Sequence, residues 1–315
     1  TMNTINFDKA KNIPILICAF NRPKYLKKLF KKLQVLKPKY LYIAIDGPRK
    51  KNKIDLIQIK KVKSIINKSI NWKCSINKKY QRKNLGTKLA INYAINWFFR
   101  NVKMGIILED DIDSDISFFR YASELLIKYR LNNRIKMISG NNYFNNKNKI
   151  NESYYFSQTP GTHGWASWRR SWKEMDINMP AWGKNKNFFK ILSMFKYNFT
   201  RAHFFKKRFE LSYENKIDSW DYQLYYSILR NDGYIIKPKI NLCKHIGWGP
   251  DATRSKGLDT FPDIFSNKIK FPLIHPKKIH INKKLDIAED KIVRRISFLK
   301  YFFYLTKTKI LNLFS

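Results

Sequence analysis

The sequence predicts an α/β fold with a mainly parallel, doubly wound central sheet, and three observations carry the prediction. Two runs, Ile13–Phe20 and Met104–Leu108, are short and almost wholly apolar, the composition of strands buried on both faces. Between such runs lie segments whose apolar residues recur three and four apart, the spacing of helices packed on one side. Strands interleaved with helices build parallel sheets, in which ligands bind beyond the carboxyl ends of the strands.

Each element follows from local chemistry. After the strand at Ile13–Phe20, Asn21 suits a cap and Pro23 a first helical turn, and Leu26, Leu29, Phe30 and Leu33 then recur at helical spacing. Tyr40–Ile45 reads as a second strand that ends at the turn signal Asp46-Gly47-Pro48. Asp55–Ser69 predicts a helix, Trp72–Ile76 a third strand, and Gly86–Arg100 a helix through Leu89, Tyr93, Ala94 and Trp97. Met104–Leu108 runs straight into Glu109-Asp110-Asp111, and Phe118–Tyr129 and Ile135–Ser139 give one more helix and strand. Beyond residue 140 aromatic residues crowd together, with helices expected at Phe188–Phe195 and Ser219–Asn231. Residues 255–289 are Lys/Pro-rich and irregular, expected as a wrap-around or linker. Asp290–Ser315 is helical in pattern, with Ile292, Ile296, Leu299 and Phe303 forming a stripe among cations.

Composition narrows the function. With 315 residues, 44% hydrophobic and 16% aromatic, the chain can bury a core, which excludes wholesale disorder. Three cysteines, Cys18, Cys74 and Cys243, support neither a disulfide framework nor a paired-cysteine zinc site and suggest a reducing, cytoplasmic setting. The start carries no secretory signal pattern, and no apolar run approaches the roughly 18 residues that span a bilayer. Sixty-three Lys and Arg against 23 Asp and Glu give a net charge of +40. Such a field suits nucleic acid, nucleotide phosphates or an anionic membrane surface; a compositional bias that scatters lysines over a solvated face is the other source.

Against that background the scarce carboxylates are informative. Glu109, Asp110 and Asp111 close a buried strand, where their mutual repulsion calls for an offsetting divalent cation; the alternative is a set of acids favouring the next helix dipole. Arg22 follows the first strand and suits either a phosphate or an exposed helix start, and Asp46 either a base or ribose or a plain turn. Gly86 and Lys88 open a helix whose first N–H groups favour phosphate oxygens, without the spacing of a P-loop. Asp221, beside Trp220, reads as a general base or as a helix cap, and Gly164-Trp165 as a sugar platform or as core. His245 reads as a metal ligand or as a structural histidine.

The order of motifs resembles the GT-A fold nucleotide-diphospho-sugar glycosyltransferases, closest to the HlpA-like bacterial family and more distantly N-acetylglucosaminyltransferase I. The matching stretches are ICAFNRPKYLKKLFKKL, NLGTKLAINYAINWFF, GIILEDDIDSDISFFRY, ISGNNYF, YYFSQTPGTHGWASWRRSW, SWDYQLYY and HIGWGPDAT, across residues 13–255 in that order. The resemblance implies a catalytic domain over 1–255, with a nucleotide-sugar half at 13–140 and an acceptor half at 141–255. It implies an inverting transferase that moves a sugar from a UDP-type donor to a glycan or lipid-linked acceptor of bacterial surface polysaccharide or lipopolysaccharide. By the same resemblance Asp111 holds Mn²⁺ or Mg²⁺; His245, read from its own position and not carried over, is a candidate further ligand. Arg22, Asp46, Glu109 and Asp110 match residues that face the donor, Gly164-Trp165 the loop bordering donor and acceptor, and Asp221 the base that follows Trp220. Ala19, Gly86 and Lys88 join the donor side by their own positions at the strand end and helix start. Trp248 and Pro250 in HIGWGPDAT depart from the pattern of relatives and leave Asp251 without a carried-over role. The segment 290–315 is expected either to lie on the inner membrane face or to pack on protein. A nucleic-acid-binding protein would explain the charge but not the carboxylate triplet, and a non-catalytic glycan-binding protein would explain the tryptophans but not the strand-end acids.

Overall fold

The computed structural model describes residues 8–144, 150–184, 186–249, 259–261 and 263–296. The chain runs α1 (Asp8–Lys11), β1 (Ile15–Ala19), α2 (Pro23–Leu36), β2 (Tyr40–Ile45), α3 (Lys53–Ser69), β3 (Ser75–Tyr80), α4 (Gly86–Asn101) and β4 (Met104–Glu109). A short β5 (Ile112–Ser114), α5 (Ser117–Lys128) and β6 (Ile135–Ser139) complete the alternating half. Then come β7 (Tyr154–Ser157), β8 (Trp165–Trp168), α6 (Arg169–Trp172), α7 (Pro180–Lys184), α8 (Phe188–Met194) and α9 (Phe199–Tyr213). The described chain closes with α10 (Asp221–Arg230), β9 (Tyr234–Pro238), β10 (Cys243–His245) and α11 (Lys283–Arg294).

The fold is α/β, with a large, mostly parallel central sheet flanked by helices, an arrangement compatible with a Rossmann-like fold. The eight strands lie in the order β3-β2-β1-β4-β8-β6-β9-β7. The pairings β2–β3, β1–β2, β1–β4 and β6–β9 are parallel, while β8 and β7 run against their neighbours. Strands from both halves of the sequence thus share one sheet. Alternation along β1 shows how it is filled. Ile15 and Ile17 pack in one layer with Leu26 and Phe30 of α2, Val62 of α3 and Phe119 of α5. Leu16 and Cys18 pack in the other with Ile95 and Phe98 of α4 and Leu224 of α10.

Local signals set the helix ends nearest the strand tips. Pro23 opens α2, which stops at Lys37 in the left-handed region, and the Asn52 side chain caps α3 by accepting from Asp55 N. Gly86 begins α4 at φ +77°, a conformation glycine adopts without strain.

Several expectations are corrected. The third strand lies at Ser75–Tyr80, not Trp72–Ile76: its sequence, SINKKY, is polar because β3 is an edge strand with half-exposed faces. The helices α1, α6, α7 and α9 and the strands β5, β7, β8, β9 and β10 went unpredicted. The irregular segment ends earlier than expected, because α11 begins at Lys283. Of the expected apolar stripe, Ile292 lies on this helix and is 44% exposed, while Ile296, just beyond it, is buried in a core cluster with Phe205 and Tyr225; the buried positions of the helix itself are Asp286, Glu289 and Asp290. Asp290 pairs with Arg201 and Glu289 with Lys237, adjacent acids matched to buried cations of the second half, and Asp286 one turn earlier accepts from Gln158 N at 2.9 Å. Leu299, Phe303 and the rest of 297–315 lie outside the described residues, as do Pro250 and Asp251. Among the described residues, no helix is long and apolar enough to cross a membrane.

Candidate functional site

The carboxyl ends of β1, β2 and β4 open on a cleft of about 360 Å³, whose other walls come from the starts of α4 and α10 and from the β10 strand. That volume lies within the range of small-molecule sites. Ala19, Arg22, Asp46, Gly86 and Glu109 line it, as do Asp110, Asp111, Trp220, Asp221 and His245.

The acidic cluster sits where the sheet register puts it. Cys18 of β1 is opposite Glu109, and Asp110 N donates to the Cys18 carbonyl at 3.0 Å, so the triplet emerges at the floor of the cleft. Asp110 turns back and accepts from Phe20 N at 2.9 Å, which fixes the turn after β1. Burial, and next the negative charge of Asp111, push the Asp110 carboxyl up to about 7. Asp111 also suffers burial, but a hydrogen bond from His245 and the charges of His245 and Arg22 outweigh it and hold its carboxyl below the usual range.

His245 reaches Asp111 through a long-range pairing. Strand β10 runs antiparallel to β5, with His245 opposite Ile112, and Ile246 N donates to the Asp111 carbonyl at 2.9 Å. The His245 Nε2 then stands 3.2 Å from Asp111 Oδ2, and Arg22 pairs with the same oxygen. Gly247 completes the cradle, since a Cβ there would collide with Asp111 Oδ2 and with Arg22. His163, whose ring stacks on His245 at 5.2 Å, is pushed down to about 4, first by burial and then by the charge of its neighbour His245.

Among the described residues no group of three or more His, Cys, Asp or Glu converges as a complete metal site. Asp111 and His245 are nonetheless a compatible pair of donors, because cis ligands of an octahedral ion with bonds of about 2.1 Å lie about 3 Å apart. Two protein donors would leave the other positions of such an ion to water or to a bound ligand, as at magnesium sites.

On the β2 side Asp46 holds the loop before α4. It accepts from Asn84 Nδ2 at 2.8 Å and from Leu85 N at 2.9 Å, and burial raises its pKa despite these bonds. Part of its acceptor capacity is therefore committed to shaping the cleft wall. Lys88 does not line the cleft: its ammonium donates to Asn215 Oδ1 at 2.7 Å, and its backbone N–H to Asp218 Oδ1 at 3.2 Å. Asp218 itself lines the cleft, so this bond ties the start of α4 to the loop before α10.

Asp221 is the first residue of α10, and the N-cap position is Trp220, with no side chain capping the helix there. The carboxylate thus sits on the cleft wall in the first turn. Trp220 stacks on Trp165 at 5.8 Å and 25° between planes, and Trp165 is buried in the core behind it. Gly164 lies with it behind the wall: it has φ +74°, and its missing Cβ makes room for Cys243. Gly164 and Trp165, expected at the donor–acceptor border, lie in this structure in a layer behind the cleft, and Trp220, itself buried, is the ring of that layer that lines it.

Sequence reasoning did not single out Arg49, Lys79, Tyr93, Thr162, His163 or Asp218 as cleft residues. His163 and Asp218 had a signal, one directly before Gly164-Trp165 and the other three residues before Asp221. No protein-family model matches this chain.

Proposed function

We propose that the chain is an inverting glycosyltransferase of the GT-A type. It moves a sugar from a UDP-type nucleotide donor to a glycan or lipid-linked acceptor of bacterial surface polysaccharide or lipopolysaccharide, on the cytoplasmic side. The observation that carries the reading is that Asp111, at the end of β4, and Asp221, at the start of α10, line one cleft. The cleft has an acid-and-cation floor suited to a diphosphate and a separate carboxylate on its wall. A nucleic-acid-binding surface requires neither.

In this reading Arg22 and the first turn of α4 face the diphosphate, and Asp46 and its loop border the nucleoside. Asp111 and His245 would hold Mn²⁺ or Mg²⁺, which when bound supplies positive charge against the leaving nucleoside diphosphate. Asp221 accepts the proton of an acceptor hydroxyl as that oxygen bonds to the anomeric carbon from the face opposite the breaking bond to phosphate. The configuration inverts, and the bond electrons leave on the diphosphate. One carboxylate suffices because the leaving group departs as an already acidic diphosphate and needs no general acid.

The test is Asp221→Asn. We expect normal folding, retained nucleotide-sugar binding, and turnover lower by roughly 10²–10⁴, the span of a lost general base. Near-wild-type turnover would remove Asp221 from the mechanism.

A further inference from the structure

The outer layer of α2 and α3 is chemically lopsided. From Lys9 to Leu108 the sequence holds 26 Lys and Arg against two carboxylates, Asp46 and Asp55. Both carboxylates are engaged inward. Asp46 lies on the cleft wall, bound by Asn84 and Leu85, and Asp55 is fully buried and takes Arg49 Nε at 2.7 Å. The two helices therefore present no exposed carboxylate of their own, although Asp113 of β5 reaches Lys32 at 3.8 Å. The exposed positions of α2 are Lys24, Lys27, Lys28, Lys31 and Val35.

The start of α3 adds apolar surface to this charge. Ile54, Leu56 and Ile57 are 67%, 58% and 55% exposed, and Lys53 and Lys60 on the same helix are exposed beside them. Single exposed aliphatics are ordinary on a protein surface. Three within four residues, bordered by lysines and by no acid, form the apolar-plus-cationic pattern that settles at a lipid interface.

The patch is held firmly and close to the cleft. Asn52 caps α3, and Asn21 Nδ2 donates to Asp55 Oδ1 at 2.8 Å, which ties the starts of α2 and α3 together. Arg49, bound to Asp55, also lines the cleft. Both helices begin at the carboxyl ends of strands, so the patch and the cleft share one rim of the sheet.

We propose that this rim docks the protein on an anionic membrane surface, with Ile54, Leu56 and Ile57 entering the interface and the lysines meeting acidic headgroups. Complementarity of charge selects the partner, and the aliphatic side chains select lipid over nucleic acid. The exposed positions of α2 and α3 include no arginine and no aromatic ring, the groups that fork phosphates and stack on bases. Docking in this way brings the cleft mouth next to the bilayer, where a lipid-linked acceptor is presented. The docking itself stands independently of the transfer reaction.

The test is sedimentation of the full chain with phosphatidylcholine vesicles, with and without phosphatidylglycerol. Pelleting is expected with the anionic vesicles alone, falling steeply with salt. The pair Lys53→Gln/Lys60→Gln and the pair Ile54→Ser/Ile57→Ser should each lower it by at least about tenfold, at unchanged melting temperature. Equal pelleting of wild type and both variants would overturn the proposal. So would equal pelleting with neutral vesicles, or salt-sensitive DNA binding with no pelleting. A thermal-shift titration of the same variants with nucleotide sugars separates the two readings: lost pelleting with intact donor response counts only on docking, and an absent donor response in wild type counts only on the transfer reaction.

Discussion

Asp111 and His245, 134 residues apart in the chain, stand 3.2 Å apart because β10 folds back antiparallel on β5. The contact joins the turn between β4 and β5 to β10, the last described strand, at the floor of the cleft, and it makes His245 part of the acidic cluster's surroundings. His245→Ala is expected to weaken the dependence of nucleotide-sugar binding on manganese, and Asp111→Asn to abolish it, both read by calorimetry with and without the ion. Equal manganese dependence in all three proteins would separate the pair from metal binding.

Lys88 provides a contrasting case. Its ammonium is held by Asn215, away from the cleft lining. Lys88→Gln should change donor affinity by less than about 1 kcal/mol, the scale of an exposed polar contact. A loss of a hundredfold or more would show that the side chain turns into the cleft when donor binds.

Gly164 tests the backing layer. At φ +74° and against Cys243, it meets both a backbone and a steric requirement. Gly164→Ala should cost about 2 kcal/mol or more in urea unfolding, the left-handed conformation alone accounting for about 1. A neutral substitution would contradict the packing described.

The buried face of α11 makes a pH prediction. Burial raises Asp286 to about 6 from the ordinary 3.8, with Arg201 pulling it down and Glu289 pushing it up. The folded state therefore holds the proton more tightly than the unfolded chain. This group's contribution is most favourable below about pH 4 and is lost as pH rises through about 6, for a total of about 3 kcal/mol. The stability advantage of wild type over Asp286→Asn should accordingly grow as pH falls from 7 to 4. A constant difference across that range would show that Asp286 does not titrate in it.

How much of this was legible in the sequence depends on where each signal lives. Ile15–Ala19 and Met104–Glu109 are central strands whose apolar character is forced by burial on both faces, so their composition announces them. Ser75–Tyr80 is an edge strand, where polar side chains are tolerated, and periodicity misplaces it. The acid triplet stands out because carboxylates are rare in a chain of +40. The nearness of His245 to Asp111, and of Asp218 to Lys88, comes from pairings 134 and 130 residues apart, to which local pattern is blind. Helix α11 shows the converse problem. The stripe read over 290–315 shares only Ile292 with this helix, whose buried positions are acids, and Arg201 and Lys237, buried where they bind Asp290 and Glu289, hold it in place.

Whether the strand-end carboxylates gather an activated sugar is read by a thermal-shift panel of nucleotide sugars on wild type and Asp111→Asn, with and without manganese. At least one nucleoside-diphosphate sugar is expected to raise the melting temperature of wild type in a manganese-dependent way and to leave Asp111→Asn unmoved. If no nucleotide sugar stabilises wild type, or if Asp111→Asn responds as fully as wild type, the strand-end carboxylates do not gather an activated sugar and the cleft serves another chemistry.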